Sequence, residues 1–145
     1  MPSRLEHTKF KKGVSSTDQC HPKATHQILP STLRMNHVWS IQNYSKASKL
    51  EKGILNNLKE ASVNGLINRV GSMMTLFFTN EKQITSYDEA MKSDADRYAK
   101  YFKLSLENGI YLAPSQYECL FISYAHTDKE IEDVIAKNLE ALKNL

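Results

Sequence analysis

The stretch LINRVGSMMTLFF, residues 66–78, indicates the fold more clearly than any other part of the chain. Two runs rich in strand-favouring residues, 66–70 and 73–78, flank the pair Gly71-Ser72. A glycine at the first position of a two-residue turn accepts the positive φ that a type II′ hairpin needs. The second run is apolar nearly throughout, which is typical of a strand covered on both faces. The stretch therefore predicts a β-hairpin whose second strand is packed against helices.

An amphipathic helix is predicted before the hairpin. Its apolar residues recur at helical spacing: Leu50, Ile54, Leu55, Leu58 and Ala61. Ser45 or Ser48 is expected to cap its start, and Asn64-Gly65 is expected to end it. Gly53 lies inside this pattern and costs about 1 kcal/mol of helix propensity relative to alanine.

A second helix is predicted after the hairpin, with Ser93 as N-cap, Asp96 in the first turn and Asn108-Gly109 at its end. Its expected apolar stripe is Tyr98, Ala99, Phe102 and Leu106. Two short strands follow, at 110–112 and 120–124, with Pro114 between them.

The last helix begins with a capping box made by Thr127 and Glu130. Its apolar residues are Ile131, Val134, Ile135, Leu139 and Leu142. The order of elements is helix, hairpin, helix, strand, strand, helix. This order predicts the α+β class, a small sheet with helices packed on it.

Composition divides the chain near residue 45. The whole chain has 145 residues, 41% of them hydrophobic, and a net charge of +3, which does not require an acidic partner. Residues 1–45 hold six basic and two acidic residues and four of the five histidines, and they show no hydrophobic period. We therefore expect 1–45 to be a basic, poorly ordered segment and 46–145 to be the folded unit.

Several classes of site and location are not expected. Two cysteines, Cys20 and Cys119, make no disulfide framework, which favours a reducing, cytoplasmic location. No apolar run approaches the roughly 18 residues of a membrane span, and no secretory signal is recognisable. The scattered glycines match no phosphate loop. Cys20-His21, His26 and His37 do not have the spacing of a zinc site, so no metal site is predicted.

The loop 114–119, between the two short strands, is the candidate site. Glu118 directly precedes an apolar run, so its carboxylate is either drawn inward, with a raised pKa or a partner, or is a solvated or salt-bridged loop carboxylate. The residues alone favour the solvated alternative. His126, just before the last helix, is expected to be a packing or capping residue rather than an acid–base group.

Four strings in the second part of the chain resemble one family. They are NRVGSMMTLFFT at 68–79, KSD at 92–94, YLAPSQYE at 111–118 and AHTD at 125–128. In this order they resemble the C-terminal domain of glutamate-1-semialdehyde 2,1-aminomutase, a member of the class-III pyridoxal-phosphate aminotransferases. The resemblance extends over about residues 46–145, whereas residues 1–45 resemble nothing in the family.

The resemblance implies the small C-terminal domain of a homodimeric enzyme with the aspartate-aminotransferase fold. The family uses pyridoxal phosphate (PLP) to move an amino group within glutamate-1-semialdehyde, giving 5-aminolevulinate for tetrapyrrole synthesis. Glu118 falls on the family's loop glutamate, which faces the cofactor and the substrate amino groups. Ser115 and Gln116 are expected to shape that loop.

The resemblance also implies that much of the enzyme lies outside this sequence. The Schiff-base lysine context and the Gly-Thr-Leu-Ser-Gly-Asn-Pro stretch that binds the neighbouring subunit's cofactor phosphate do not occur here. We therefore predict a fragment that binds no PLP alone, is inactive alone and self-associates through exposed apolar surface. The alternatives are a non-enzymatic interaction module and a weak anion or nucleic-acid binder acting through the basic segment 1–45.

Overall fold

The computed structural model describes the backbone of residues 31–145 and the side chains from residue 42 onward. In this part of the chain, a three-stranded antiparallel sheet with the order β1-β2-β3 packs with four helices. The elements are α1 (Ser31–Glu60), β1 (Leu66–Val70), β2 (Met73–Phe77), α2 (Tyr87–Ala90), α3 (Ala95–Glu107), β3 (Leu120–Phe121) and α4 (Asp128–Lys143). The predicted α+β class is confirmed.

Helix α1 passes through the predicted boundary at residue 46 without interruption. Ser45 and Ser48 therefore lie inside a helix, and the prediction that one of them caps its start is wrong. The expected disorder of 1–30 falls outside the described residues, as do Cys20, His21, His26 and the side chain of His37. The division of the chain at residue 46 stays a prediction.

The hairpin forms as predicted. Val70 pairs with Met73 across the two-residue turn, and Leu66 pairs with Phe77 at the far end. Gly71 has a φ of +64°, the positive value that a glycine-first turn requires. The turn residues therefore set the register, and the register decides which side chains of β2 face the helices.

The end of α1 differs from the prediction. The left-handed residue is Ser62, with a φ of 55°, and not Asn64 or Gly65. The Val63 N–H donates to the carbonyl of Leu58 at 2.9 Å, and the Ser62 N–H donates to Lys59 at 3.2 Å. This is the paired hydrogen bonding of a Schellman motif, which here ends the helix without a glycine.

Helices α1 and α4 pack closely against each other because Gly53 has no side chain. A Cβ built on Gly53 would lie 2.5 Å from the Cδ1 and Cγ1 atoms of Ile135. Beside this contact, the Asn57 side-chain amide donates to the Asn138 Oδ1 atom at 2.8 Å, and the Asn138 amide donates to the Tyr101 hydroxyl at 2.8 Å. The glycine that weakens α1 locally thus permits a buried contact between three helices.

Helix α3 begins one residue later than predicted. Its N-cap is Asp94, which accepts a hydrogen bond from the Arg97 N–H at 2.9 Å, whereas Ser93 is buried. The predicted end at Asn108-Gly109 is confirmed, with a φ of +77° at Gly109. The predicted stripe is wrong in part, because Ala99 and Leu106 are exposed. The buried residues of the helix are Tyr98, Tyr101 and Ser105.

The two predicted short strands are only partly present. Residues 110–112 form no strand, although Ile110 and Leu112 are buried, because the Ile110 N–H is bonded to the end of α3 at Ser105. Strand β3 covers 120–121 rather than 120–124. Phe121 already pairs with Met73, the first residue of β2, so β2 has no further residues with which 123–124 could pair.

The capping box of α4 is confirmed. Thr127 accepts from the Glu130 N–H at 3.2 Å, and the Glu130 carboxylate accepts from the Thr127 N–H at 2.6 Å. Ile131 and Leu142 are almost fully buried, and Val134, Ile135 and Leu139 are partly buried. No helix among residues 31–145 is both long and apolar enough to cross a membrane.

The two faces of the sheet have different surroundings. On the inner face, Met74, Leu76 and Phe78 join the main core with α1, α3 and α4. On the outer face, Phe77 joins a small cluster whose other buried members are Ile84 and Ala90. The prediction that β2 is covered on both faces holds for 74–78, but Met73 is 38% exposed.

Candidate functional site

The candidate loop is held from both sides by hydrogen bonds to its backbone. The Tyr98 hydroxyl donates to the carbonyl of Ala113 at 2.8 Å, and the Thr75 hydroxyl donates to the carbonyl of Glu118 at 3.1 Å. Inside the loop, the Glu118 N–H donates to the Ser115 carbonyl at 3.1 Å, and the Tyr117 N–H donates to the Ser115 hydroxyl at 3.2 Å. Ser115 thus accepts two hydrogen bonds from within the loop, one at its carbonyl and one at its hydroxyl.

Glu118 is exposed at the surface of this loop. Of the two alternatives left open by the sequence, the structure has the solvated carboxylate. Burial raises the pKa of the Tyr98 hydroxyl, and Tyr101 and the charge of Glu118 raise it further. Tyr98 therefore stays protonated and acts as a hydrogen-bond donor that holds the loop backbone.

The predicted site residues face two different pockets. Glu118 lines an open pocket of about 530 Å³ together with His126 and Tyr111, which we call the Glu118 pocket. Gln116 lines a second pocket, of about 460 Å³, on the outer face of the sheet, which we call the Gln116 pocket. Cys119 lies at the border and lines both. Glu118 and His126 thus line the same pocket, whereas Gln116 lines the other one.

Gln116 has a different environment from the one that a loop-shaping residue suggests. Its side chain is only 2% exposed, and neither its amide nitrogen nor its amide oxygen has a hydrogen-bond partner. Buried amides are paired in the large majority of cases. No feature of the sequence around residue 116 distinguishes this buried glutamine from an exposed one, so sequence analysis could not have found it.

His126 is a turn residue at the start of α4. Its Nδ1 atom accepts a hydrogen bond from the Ser123 N–H at 3.0 Å, and its ring is partly buried. Thr127, the N-cap, follows it directly. His126 therefore belongs to the turn before α4, while Thr127 caps the helix. The sequence did not predict that His126 lines the Glu118 pocket.

Helix α2 was missed by sequence analysis, although its signal is present. Ser86 accepts from the Glu89 N–H at 3.3 Å, and the Glu89 carboxylate accepts from the Ser86 N–H at 3.2 Å. This is the same S/T-x-x-E pattern as in Thr127 and Glu130. The helix has only four residues, so no hydrophobic period accompanies the capping box.

We tested whether these residues could hold PLP, the cofactor implied by the resemblance. No lysine among residues 31–145 is buried, so none lies in an enclosed pocket where it could form a Schiff base. Lys49 and Lys143 are engaged by Glu132 and Glu60 in surface ion pairs. The described residues therefore do not by themselves make a site for this cofactor. They also contain no group of three or more metal-ligating side chains.

The sequence of the chain is similar to that of two bacterial enzymes. It is 44% identical over 100 residues to the glutamate-1-semialdehyde 2,1-aminomutase of Persephonella marina, a match that covers 69% of this chain and 23% of the relative. It is 50% identical over 97 residues to the glutamate-1-semialdehyde 2,1-aminomutase of Pelodictyon phaeoclathratiforme, covering 67% of this chain and 22% of the relative. No family model matches the chain.

The fold is similar to that of transaminases of known structure. An omega-transaminase from Sphaerobacter thermophilus superposes with a TM-score of 0.59 and 17% identity, covering 72% of this chain and 24% of that one. The FumI protein of Sphingopyxis sp. MTA144, solved in a PLP form, superposes with a TM-score of 0.60 and 18% identity, covering 78% of this chain and 25% of that one. These two similarities concern the fold alone.

The sequence and fold comparisons agree with each other and with the resemblance found in the sequence. The matched part of the chain belongs to the glutamate-1-semialdehyde 2,1-aminomutase family. The chain spans less than a quarter of the length of the curated relatives described above.

Proposed function

We propose that this chain provides the small-domain part of a PLP-dependent glutamate-1-semialdehyde 2,1-aminomutase. The observation that carries the proposal is the 44–50% identity to aminomutases over about two thirds of the chain. In such an enzyme the amino group of glutamate-1-semialdehyde is moved to give 5-aminolevulinate. The cofactor supplies the chemistry of amino-group transfer when it is bound, and the rest of the enzyme supplies its lysine.

In this proposal Glu118 is the residue of the chain that acts on the substrate. Its carboxylate is exposed, and the Tyr98 and Thr75 hydroxyls hold the loop backbone around it. A fixed carboxylate favours the protonated form of a nearby amine, and the favourable interaction grows when water is excluded. Glu118 thus orients the amino groups of the substrate and keeps them protonated once the rest of the enzyme covers the Glu118 pocket.

The chain alone is then inactive, because no lysine among residues 31–145 lies in an enclosed site. We infer that the alternatives, an interaction module or a weak binder of anions or nucleic acid through residues 1–45, have less support, because the match to aminomutases is extensive. We also propose a soluble, cytoplasmic protein, in keeping with the aminomutase family.

A chimera tests the proposal directly. The region of the Persephonella marina aminomutase that matches this chain is replaced by the corresponding residues of this chain. We expect the chimera to bind PLP and to convert glutamate-1-semialdehyde to 5-aminolevulinate. Glu118→Gln in the chimera should lower kcat by about a hundredfold, the low end of the range for a positioned acid–base group.

Two controls accompany the chimera. The exposed Glu140 in α4 provides a matched change, since Glu140→Gln should leave kcat unaltered. The 145-residue chain itself, reduced with borohydride in the presence of PLP, should show only scattered lysine labelling. A folded chimera without activity, or stoichiometric labelling of a single lysine in the chain alone, would refute the proposal.

A further inference from the structure

The chain contains two Asn-Gly pairs, Asn64-Gly65 and Asn108-Gly109, and the fold gives them different backbone environments. Asparagine is one of the thermally labile residues of proteins. Its loss begins when the backbone nitrogen of the next residue attacks the side-chain amide carbon, and glycine permits this close approach because it has no Cβ. The two pairs have the same chemistry in an unfolded chain, so a difference in their reactivity must come from the folded structure.

At Asn108-Gly109 the attacking nitrogen is held by the end of α3. The Gly109 N–H donates to the Leu106 carbonyl at 2.9 Å, and the following N–H, of Ile110, donates to the Ser105 carbonyl at 2.8 Å. Gly109 has a φ of +77°, which directs both amides back toward the helix. The Gly109 nitrogen can therefore reach the Asn108 side chain only after this end of the helix opens.

Asn64-Gly65 lies in the irregular stretch between α1 and β1, where nothing holds the attacking nitrogen in this way. The Gly65 N–H has no hydrogen-bond partner among the described residues, and the Asn64 side chain is exposed. Both residues line an open pocket of about 620 Å³, so water and hydroxide reach them. The charged side chains of this pocket are Lys59 and Glu81, one of each sign, so the pocket has no net charge that would repel hydroxide.

The Asn64 side chain also connects the two strand ends at the open end of the hairpin. Its amide nitrogen donates to the Asn80 Oδ1 atom at 2.6 Å. Asn64 precedes β1 and Asn80 follows β2, and the pair Leu66 and Phe77 lies between them. A carboxylate at residue 64 would have no N–H to donate and would place a negative charge beside the Asn80 oxygen. Conversion of Asn64 to a carboxylate would therefore break this connection.

We propose that Asn64 is a site of deamidation through a succinimide, and that the reaction loosens the open end of the β1–β2 hairpin. The Gly65 nitrogen loses its proton to hydroxide and forms a bond to the Asn64 Cγ atom, and the side-chain nitrogen leaves as ammonia. Water then adds to one carbonyl carbon of the ring and breaks its bond to the ring nitrogen, which gives aspartate or isoaspartate. The net reaction consumes one water, releases one ammonia and involves no oxidation. The inference is independent of the proposed function, because neither residue lines the Glu118 pocket.

Timed incubation of the 145-residue chain in mildly alkaline buffer, followed by peptide mapping with mass spectrometry, tests the reaction. In the folded chain Asn64 should be converted at least about tenfold faster than Asn108, because Asn108 reacts only when the end of α3 is open. In guanidinium chloride the two pairs should react at comparable rates, since unfolding removes the hydrogen bond of Gly109. A protein-isoaspartate methyltransferase should label the peptide that contains residue 64 in the incubated folded chain.

Asn64→Gln provides the matched control, since it keeps the amide but its longer side chain cannot form the five-membered ring. It should abolish the labelling at residue 64 and leave the rate at Asn108 unchanged. Gly65 is less suitable for substitution, because a Cβ there would lie 3.1 Å from the Cδ2 atom of Leu58. A folded chain in which Asn64 is not converted, or is converted no faster than Asn108, would overturn the inference.

Asn64→Asp tests the effect on the hairpin, because it reproduces the charge of the product in an unaltered backbone. Amide exchange at 64–66 and 79–81 should become several-fold faster than in the parent chain, while exchange in the middle of α4 stays the same. Asn108→Asp, at the C-cap of α3, is the same chemical change and should leave exchange in the hairpin unaltered. Unchanged exchange at 64–66 and 79–81 in Asn64→Asp would refute the loosening of the hairpin.

Discussion

The two faces of the sheet contain residues of similar type in opposite environments. On the inner face, Phe78 is 2% exposed and its ring packs 5.4 Å from that of Tyr101. On the outer face, Phe121 is 65% exposed although it pairs directly with Met73 of the central strand. In the described part of the chain, the inner face is covered by α1, α3 and α4, while the outer face is partly covered by α2 and by the loop 114–119. The difference indicates that the chain folds around the inner face and leaves several apolar residues of the outer face exposed.

A comparison of Phe78→Ala with Phe121→Ala is the sharpest test of the difference between the two faces of the sheet. Phe78→Ala should lower the free energy of unfolding of the 145-residue chain by about 3–5 kcal/mol, because it removes a fully buried ring and leaves a cavity. Phe121→Ala should change it by no more than about 0.5 kcal/mol, as is usual for an exposed residue. Urea unfolding followed by circular dichroism measures both values.

Exposed apolar surface should be affected by Phe121→Ala, the variant that has the smaller effect on stability. Phe121→Ala should reduce binding of a hydrophobic dye to the folded chain, since it removes part of the exposed apolar surface. If Phe121→Ala proves as destabilising as Phe78→Ala, the outer face is part of the folded core and the comparison between the faces fails.

Gly53→Ala tests how closely α1 and α4 pack against each other on the inner face of the sheet. The added Cβ would meet Ile135 at 2.5 Å, and overpacking of this kind costs about 1–3 kcal/mol. Alanine returns about 1 kcal/mol of helix propensity, so we expect a net loss of about 1 kcal/mol in the free energy of unfolding. Thermal and urea unfolding both measure it.

The double variant Gly53→Ala/Ile135→Ala supplies the control. Ile135→Ala removes the side-chain atoms that the new Cβ would meet. In that background Gly53→Ala should stabilise the chain by about 1 kcal/mol, the propensity gain alone. If Gly53→Ala is stabilising in both backgrounds, the contact between α1 and α4 is looser than the structure indicates.

The sequence predicted the features that local chemistry determines. The hairpin followed from Gly71-Ser72 between two apolar runs, and the start of α4 from Thr127 and Glu130. Both depend on neighbouring residues, so a short stretch of sequence contains the whole cause. The family was also recognisable, because several strings occurred in one order.

The features that the sequence did not predict depend on tertiary contacts. Residues 110–112 have a strand-like sequence but, in the described part of the chain, no neighbouring strand with which to pair, and no pattern in their own stretch indicates this. The burial of Gln116 results from the loop packing against the outer face, and Gly53 has its role only because Ile135 lies opposite. Helix α2 is the exception, since its capping box was readable and only its length concealed it.

Substitutions in the two capping boxes are expected to have small effects. One box caps a helix on the inner face of the sheet, and the other caps a helix on the outer face. Thr127 caps α4, which covers the inner face, and Ser86 caps α2, which lies on the outer face. Thr127→Ala should lower the global free energy of unfolding by about 1 kcal/mol. Ser86→Ala should leave the global value unchanged and only speed amide exchange at 87–90, because a four-residue helix can open by itself.

The Thr127 box also predicts a pH dependence. The backbone hydrogen bond from Thr127, helped by its hydroxyl, lowers the pKa of Glu130 below its ordinary value. A carboxylate with a lowered pKa in the folded state stabilises the fold above its unfolded pKa of about 4.3, and this contribution is lost as the pH falls through the folded pKa. As the pH falls below about 4.3, the free energy of unfolding should therefore fall more steeply in the parent chain than in Glu130→Gln. The exposed Glu140→Gln serves as the control and should follow the parent. Equal slopes for Glu130→Gln and the parent would show that the box does not hold α4 in solution, and the inner face would then depend on apolar packing alone.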